Sequence, residues 1–231
     1  MWGESRVGRI TIVSKTLTNE SGAQISLMLP PSQRGTPTWE MALDYPCQGD
    51  WTEAEYLSLD TGRLIEFNDG VLEFLPMPKT SHARISRFIS DLLRQYVDSR
   101  KIGEVLWAPC PIRVAPRKLR EPDILYLSHQ RIPQDDTPPV GADLVVEIIS
   151  PGMESRRRDM ETKRDEYAEA GIPEYWVVDP DNETITVLTL VGKRYELHHE
   201  FPAGTTAGSV LLAGFEVDVS ATFAAARPPL T

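Results

Sequence analysis

Apolar positions along the chain follow two rhythms, that of a helix and that of a strand. Between Thr80 and Lys101, residues Ile85, Phe88, Ile89, Leu92, Leu93, Tyr96 and Val97 recur three and four apart. That spacing draws one apolar stripe on a long helix, and Thr80 or Ser81 is a residue type that caps such a helix. A second helix is expected over "SRRRDMETKRDEYAEAG", closed by Gly171. A short third one opens at "TEAE", Thr52 to Glu55, which has the spacing of a capping box, and runs through Leu59. "GRLIEFNDGVLEFLP" reads as two strands joined by a tight "NDG" turn in which Gly70 supplies the positive φ. Further strands are expected at "GEVLWAP", "PIRVAP", "PDILYLS", "ADLVVEIIS" and "EYWVVDP", and "ETITVLTL" alternates as a half-exposed strand does. "GKRYELHHEF" and "GFEVDVSATF" are expected to complete the sheet. "ADLVVEIIS" is apolar on both faces, which marks a central strand covered from both sides. The order of elements predicts an α/β (α+β) fold with a central mixed β-sheet flanked by helices.

Residues 1–50 have another texture. "RITIVSKTL" and "AQISLML" flank the turn-rich "TNESG" and predict a hairpin. "LPPSQRGTP" and "DYPCQGD" read as loop. Residues 1–50 are therefore expected to be an N-terminal extension and residues 51–231 the compact domain.

Composition narrows the picture. With 231 residues, 41% of them hydrophobic, the chain can bury a core that needs no metal or disulfide to hold it. Cys47 and Cys110 lack C-x-x-C spacing and read as unpaired thiols. No apolar run reaches the roughly 20 residues of a membrane helix, and the N-terminus lacks the apolar centre of a secretory signal. A cytoplasmic protein without a membrane segment is expected. The formal net charge of −10 argues against a protein that coats nucleic acid non-specifically. It leaves room for a local basic groove. Arg113, Arg117, Lys118 and Arg120 form one basic stretch and Arg156 to Arg158 another; either serves equally well as a solvated face.

Candidate chemistry comes from carboxylates in apolar strands. "EPDILYLS" puts Asp123 at the mouth of one strand, and "ADLVVEIISP" puts Glu147 among Val145, Val146, Ile148 and Ile149. A buried carboxylate is costly unless something offsets its charge. Two of them at one sheet edge could share Mg²⁺ or Mn²⁺, which prefer oxygen ligands. Asp159, Lys163 and Tyr167 are spaced to line one face of the second helix. If that helix crosses the strand ends, Lys163 can orient or help deprotonate an attacking water; otherwise it is an ordinary partner of Asp159. Glu66 before the "NDG" turn and His82 at the start of the long helix are weaker candidates, each with a plain structural reading. No Walker loop, H-E-x-x-H, G-x-S-x-G or G-x-G-x-x-G occurs, so no nucleotide cofactor is expected.

"IEFNDGVLEFLPMPKTSHARI", "EPDILYLS", "ADLVVEIISP" and "RRDMETKRDEYAEAGIPEYWVVDP", in this order, resemble the Uma two family. That is a bacterial group described as putative restriction endonucleases, within the PD-(D/E)XK nuclease superfamily. The resemblance runs from about Trp51 to about Phe223 and is densest from Asp143 to Pro180. It implies a restriction-endonuclease-like core and Mg²⁺-dependent cleavage of DNA. Asp123 matches the aspartate of "PD" and Glu147 the second metal ligand. Two residues beyond Glu147 stands Ile149, where the superfamily usually has lysine; Lys163 matches the position at which this family carries it. Glu66 matches the glutamate before the "DG" turn, and His82 a histidine that opens the long helix. Apart from the resemblance, Arg113, Arg117, Lys118 and Arg120, or Arg156 to Arg158, are candidate phosphate clamps on charge alone. A homodimer is expected, since two sites would cut both strands. The alternatives are a nuclease-fold binding or regulatory protein with little or no catalysis, and a phosphodiesterase acting on RNA or small substrates.

Overall fold

The computed structural model describes residues 13–18, 24–29, 34–35, 44–150, 152 and 156–228. The chain divides into two compact units, residues 1–50 and 51–231. In the first, strands β1 (Val13–Thr18) and β2 (Gln24–Leu29) pair antiparallel, with Val13 opposite Leu29. The rest of the loop expected around "LPPSQRGTP" lies largely outside the described residues.

The second unit begins with helix α1 (Glu53–Leu57). Its capping box forms as the sequence predicts, Thr52 and Glu55 each satisfying the other's backbone N–H. Strands β3 (Ile65–Asn68) and β4 (Val71–Phe74) make the hairpin, with Asp69 and Gly70 both at positive φ in the turn. Helix α2 (Thr80–Arg100) follows. Here the expectation of a side-chain cap is corrected: Lys79 holds the N-cap position and no side chain caps it, Thr80 and Ser81 already lying within the first turn.

Strands β5 (Gly103–Trp107), β6 (Ile112–Ala115), β7 (Lys118–Arg120), β8 (Ile124–Ser128) and β9 (Leu144–Ile148) come next. A π-helical turn, Arg158–Thr162, then runs into helix α3 (Lys163–Glu169), after which Gly171 takes up positive φ. Strands β10 (Glu174–Asp179), β11 (Thr184–Val191) and β12 (Arg194–Pro202) complete the main sheet. Its six strands lie in the order β12-β11-β10-β9-β8-β5. Only β9 and β10 are parallel in it; the other neighbours are antiparallel. The fold is thus α+β with a mixed sheet.

The segment "GFEVDVSATF" does not join that sheet. Strand β14 (Glu216–Asp218) pairs with β13 (Thr206–Gly208) in a separate two-stranded sheet, and the chain turns at once into helix α4 (Val219–Ala224), capped by Asp218. The basic stretch holds a strand that its charge conceals: β7 joins β4, β3 and β6 in a four-stranded sheet.

Period-two alternation splits the central strands between two cores. Leu144, Val146 and Ile148 pack with Ile85, Ile89, Leu93 and Val97 of α2. Val145 and Ile149 pack with Tyr167 and Ala168 of α3 on the other face. Glu147 is in phase with that second set, so the fold turns its carboxylate towards α3. A third cluster, Trp51, Tyr56, Ile65, Phe67, Leu72 and Leu119, packs along the four-stranded sheet. Cys47 and Cys110 are free thiols. Among the described residues no helix is long and apolar enough to cross a membrane.

Candidate active site

The parallel pairing of β9 with β10 requires the chain to cross back between them, and α3 lies on that crossover. The crossover lays Lys163 over the β9 carboxylate. Its Nζ donates to Glu147 Oε1 at 2.8 Å and stands 3.1 Å from Glu66 Oε1 on β3. Tyr167, one turn further along, donates its hydroxyl to the same Glu147 oxygen at 2.6 Å. Asp159, one turn earlier, lies 3.9 Å from Nζ, too far for a hydrogen bond. A lysine ammonium has three N–H donors, so one remains for a ligand. All four side chains are buried, and Lys163 itself is only 2% exposed.

Burial sets the electrostatics. It opposes charge on Lys163, but Glu147, Glu66 and Asp159 outweigh it and hold the ammonium well above its ordinary pKa. Lys163 is therefore a fixed positive donor and not a base. Burial, with Asp123 and Asp159 adding to it and Lys163 opposing, pushes the Glu147 carboxyl up to about 8. Two donors on one oxygen are nonetheless what an ionised carboxylate accepts, and the ion pair is the state this geometry describes. Glu66 is also buried, yet Lys163, Arg120 and the Glu121 N–H bring its carboxyl below the usual range.

Asp123 stands one step beyond the Ile124–Val146 pair of β8 and β9, which puts it opposite Glu147 in register. Its Oδ2 accepts the Ile148 N–H at 2.7 Å and lies 3.2 Å from His82 Nε2. That same nitrogen is 3.1 Å from the Ile148 carbonyl. Both neighbours are acceptors, so Nε2 carries the proton. Burial works against a charged His82, but the contacts with Asp123 outweigh it and raise its pKa. A cavity of about 30 Å³, room for roughly one or two waters, is lined by Asp123, Glu147, His82, Glu121, Asp159 and Lys163. The structure thus brings together Asp123, Glu147, Lys163 and His82, with Glu66 joined through the lysine.

The basic stretch behaves otherwise than expected. Arg120 is buried and bonds to Glu66, Glu73 and Glu166. Lys118 pairs with Glu166, Arg117 with Asp69, and Arg113 with Glu53. Arg156, Arg157 and Arg158 pair with Asp179, Glu161 and Asp159. Each cation proposed as a phosphate clamp is engaged within the protein, and Arg120 braces Glu66 from behind.

The sequence alone assigns no role to Tyr167 or Glu121. The i, i+4, i+8 spacing from Asp159 through Lys163 to Tyr167 held the signal for Tyr167. Glu121 had only its place beside "PD". Its Oε2 is buried without a hydrogen-bond partner, and burial together with Glu66 pushes its carboxyl up to about 7.

The donor set fits a hard divalent cation. The bonds to Asp123 fall on Oδ2 and those to Glu147 on Oε1, leaving one oxygen of each carboxylate for a ligand. Five carboxyls, Glu66, Glu121, Asp123, Glu147 and Asp159, face Lys163, Arg120 and Arg158 here. Burial pushes the Glu121 and Glu147 carboxyls up, and a bound cation would favour their ionised forms. Among the described residues no group of three or more His, Cys, Asp or Glu side chains is gathered closely enough to hold a metal by itself. Two carboxylates with water and phosphate oxygens are a usual Mg²⁺ shell.

A family model described as Uma2, putative restriction endonuclease, matches residues 53–220. Among solved structures, a putative nuclease belonging to DUF820 from Anabaena variabilis superposes with a TM-score of 0.61 at 18% identity. The match covers 75% of this chain and 98% of that one, so the two share a nuclease-like fold. No curated protein matches.

Proposed function

The chain belongs to the Uma2 family, and on that premise we propose that it is a divalent-metal-dependent endonuclease hydrolysing phosphodiester bonds of DNA at Asp123, Glu147 and Lys163. The observation that carries this reading is the meeting of Lys163 with Glu147 and Glu66, at 2.8 and 3.1 Å. These residues come from three separate stretches of chain; Lys163 and Glu147 share a pocket with Asp123, and Glu66 is joined to it through the lysine.

Asp123 and Glu147 would hold the ion. Once bound, Mg²⁺ or Mn²⁺ would offset the charge of the scissile phosphate and make a coordinated water more acidic. The protein's own groups do the positioning. His82 and the Ile148 N–H fix Asp123, and Tyr167 fixes Glu147. Glu66 and Glu147 hold the ammonium in place, and its third N–H is left for the attacking water or a phosphate oxygen. Because Lys163 is fixed and already charged, it needs no rearrangement as negative charge grows on the phosphate. The expected homodimer is part of the same proposal, and a solution mass measurement checks it.

A binding protein on the same fold is the second reading. The neutralised basic stretch and the net charge of −10 favour it. A plasmid assay separates the two. Supercoiled DNA is incubated with Mg²⁺, Mn²⁺ or EDTA and either the wild type or Asp123→Asn, which keeps an acceptor for the Ile148 N–H. Metal-dependent nicking that falls on the order of 100-fold or more in the variant, with an unchanged melting temperature, supports the endonuclease. No cleavage at molar excess of enzyme with either metal overturns it.

A further inference from the structure

Asp123, His82 and Glu121 also line a second space, a groove of about 870 Å³ bordered by α2, the loop 59–64 and the end of β5. Its size is that of small-molecule sites in general. Trp107, the last residue of β5, stands on its wall and is 52% exposed. Among the described residues the other tryptophans, Trp51 and Trp176, are buried. The indole is also close to the candidate site along the backbone: Trp107 pairs with Ile124, and the next N–H, that of Ala108, donates to the Asp123 carbonyl at 3.2 Å.

The groove has a second peculiarity. Among the described residues two buried side-chain polar atoms find no hydrogen-bond partner, Ser90 Oγ and Glu121 Oε2. Both residues line this one groove. An unpaired buried polar group costs about 1–3 kcal/mol, so native proteins keep few of them, and those few call for an explanation. Both oxygens are closed off as they stand, but they sit on residues of one groove beside an exposed indole, and a rotation of either side chain towards a ligand there would give it a partner. Arg63 at the rim is exposed and makes no ion pair among the described residues.

We propose that this groove receives the base of an unpaired DNA nucleotide next to the scissile phosphate, stacked on the Trp107 indole. The proposal rests on the endonuclease reading and names its substrate class: DNA that is single-stranded, or has a nucleotide extruded, at the point of cleavage. In a duplex each base face is covered by its neighbours, so an indole can stack only on a base that has left the helix. Base edges carry both donors and acceptors. Ser90 can answer either and Glu121 can accept, while exposed Arg63 supplies a cation on the same groove for a flanking phosphate.

The test is binding in EDTA, where no cleavage occurs. A short single strand carrying 2-aminopurine and its matched duplex are titrated with wild type, Trp107→Ala, Trp107→Phe and Ser90→Ala. The wild type is expected to bind the single strand more tightly than the duplex and to quench 2-aminopurine. Trp107→Ala should weaken single-strand binding roughly 5- to 150-fold, the range of one base–aromatic stack. Trp107→Phe should recover most of that loss. Ser90→Ala should lower affinity without lowering the melting temperature, since its hydroxyl has no partner to lose. Equal single-strand affinity for wild type and Trp107→Ala overturns the proposal, as does a wild-type preference for duplex. Should Trp107→Ala fail to fold, 2-aminopurine emission left unchanged by wild type overturns it equally. Plasmid cleavage can persist through any of these failures, so the endonuclease reading stands or falls separately.

Discussion

Lys163→Met is the most direct probe of the buried charge cluster. Methionine nearly matches lysine in volume and removes only the ammonium, so no large cavity confuses the result. Glu66 would keep Arg120 and the Glu121 N–H as partners. Glu147 would keep only the Tyr167 hydroxyl among its described partners, so the loss concentrates there. Removing one member of a buried pair costs about 3–5 kcal/mol, and because Glu66 stays paired the lower end is expected here. With a urea m-value of about 2 kcal/mol/M, a loss of about 3 kcal/mol lowers the unfolding midpoint by roughly 1.5 M. Chemical denaturation followed by the fluorescence of buried Trp176 would read this. The double variant Lys163→Met/Glu147→Gln should regain most of the loss, because the orphaned charge is then gone. A midpoint shift below about 0.5 M, or the same deficit in the Glu147→Gln background, would refute the reasoning that the ammonium offsets the buried charge of Glu147.

Two further outcomes follow from features outside the proposed metal ligands. Burial opposes ionisation of Glu166, but Arg120 and Lys118 bring its carboxyl below the ordinary 4.5. Its contribution is therefore full above that value and fades as pH falls through the folded pKa; Glu166→Gln should cost about 1–3 kcal/mol at pH 7 and flatten the acid limb of a stability–pH curve, whereas an unchanged acid limb would count against this pairing. Gly103 opens β5 where a Cβ would overlap the Leu127 carbonyl oxygen of β8, so Gly103→Ala should lower the melting temperature by several degrees or prevent folding, and a wild-type melting curve would show that β5 does not pair in this register.

Much of the fold could be read from local pattern. The helix of α2, the β3–β4 turn and the two-faced burial of β9 each follow from periodicity or from turn chemistry that a short window contains. Lys163 was readable for the same reason, since its spacing from Asp159 and Tyr167 is a property of one helix. The fate of Arg120 was not. Its partners Glu66, Glu73 and Glu166 lie 54, 47 and 46 residues away, and a run of basic residues looks the same in a string whether it faces solvent or carboxylates. "GFEVDVSATF" misled for a related reason. Alternation announces a strand but not which sheet will accept it, and the Asp218 cap that starts α4 sits inside the same run. Trp107 reads in the sequence only as part of a strand, because exposure is a tertiary fact.

Ile149 gives the departure from the strict lysine motif a physical meaning. It is buried against Tyr167 and Ala168, beneath the helix that carries Lys163. A lysine at 149 and a lysine at 163 would thus approach the same carboxylate from opposite walls, one from the floor of the sheet and one from its roof. Moving the cation to the roof frees the floor for apolar packing and ties the crossover to the sheet with a charged rivet. The proposed reactive centre and the docking of the crossover then become a single cooperative unit, and damage to either should be felt in both.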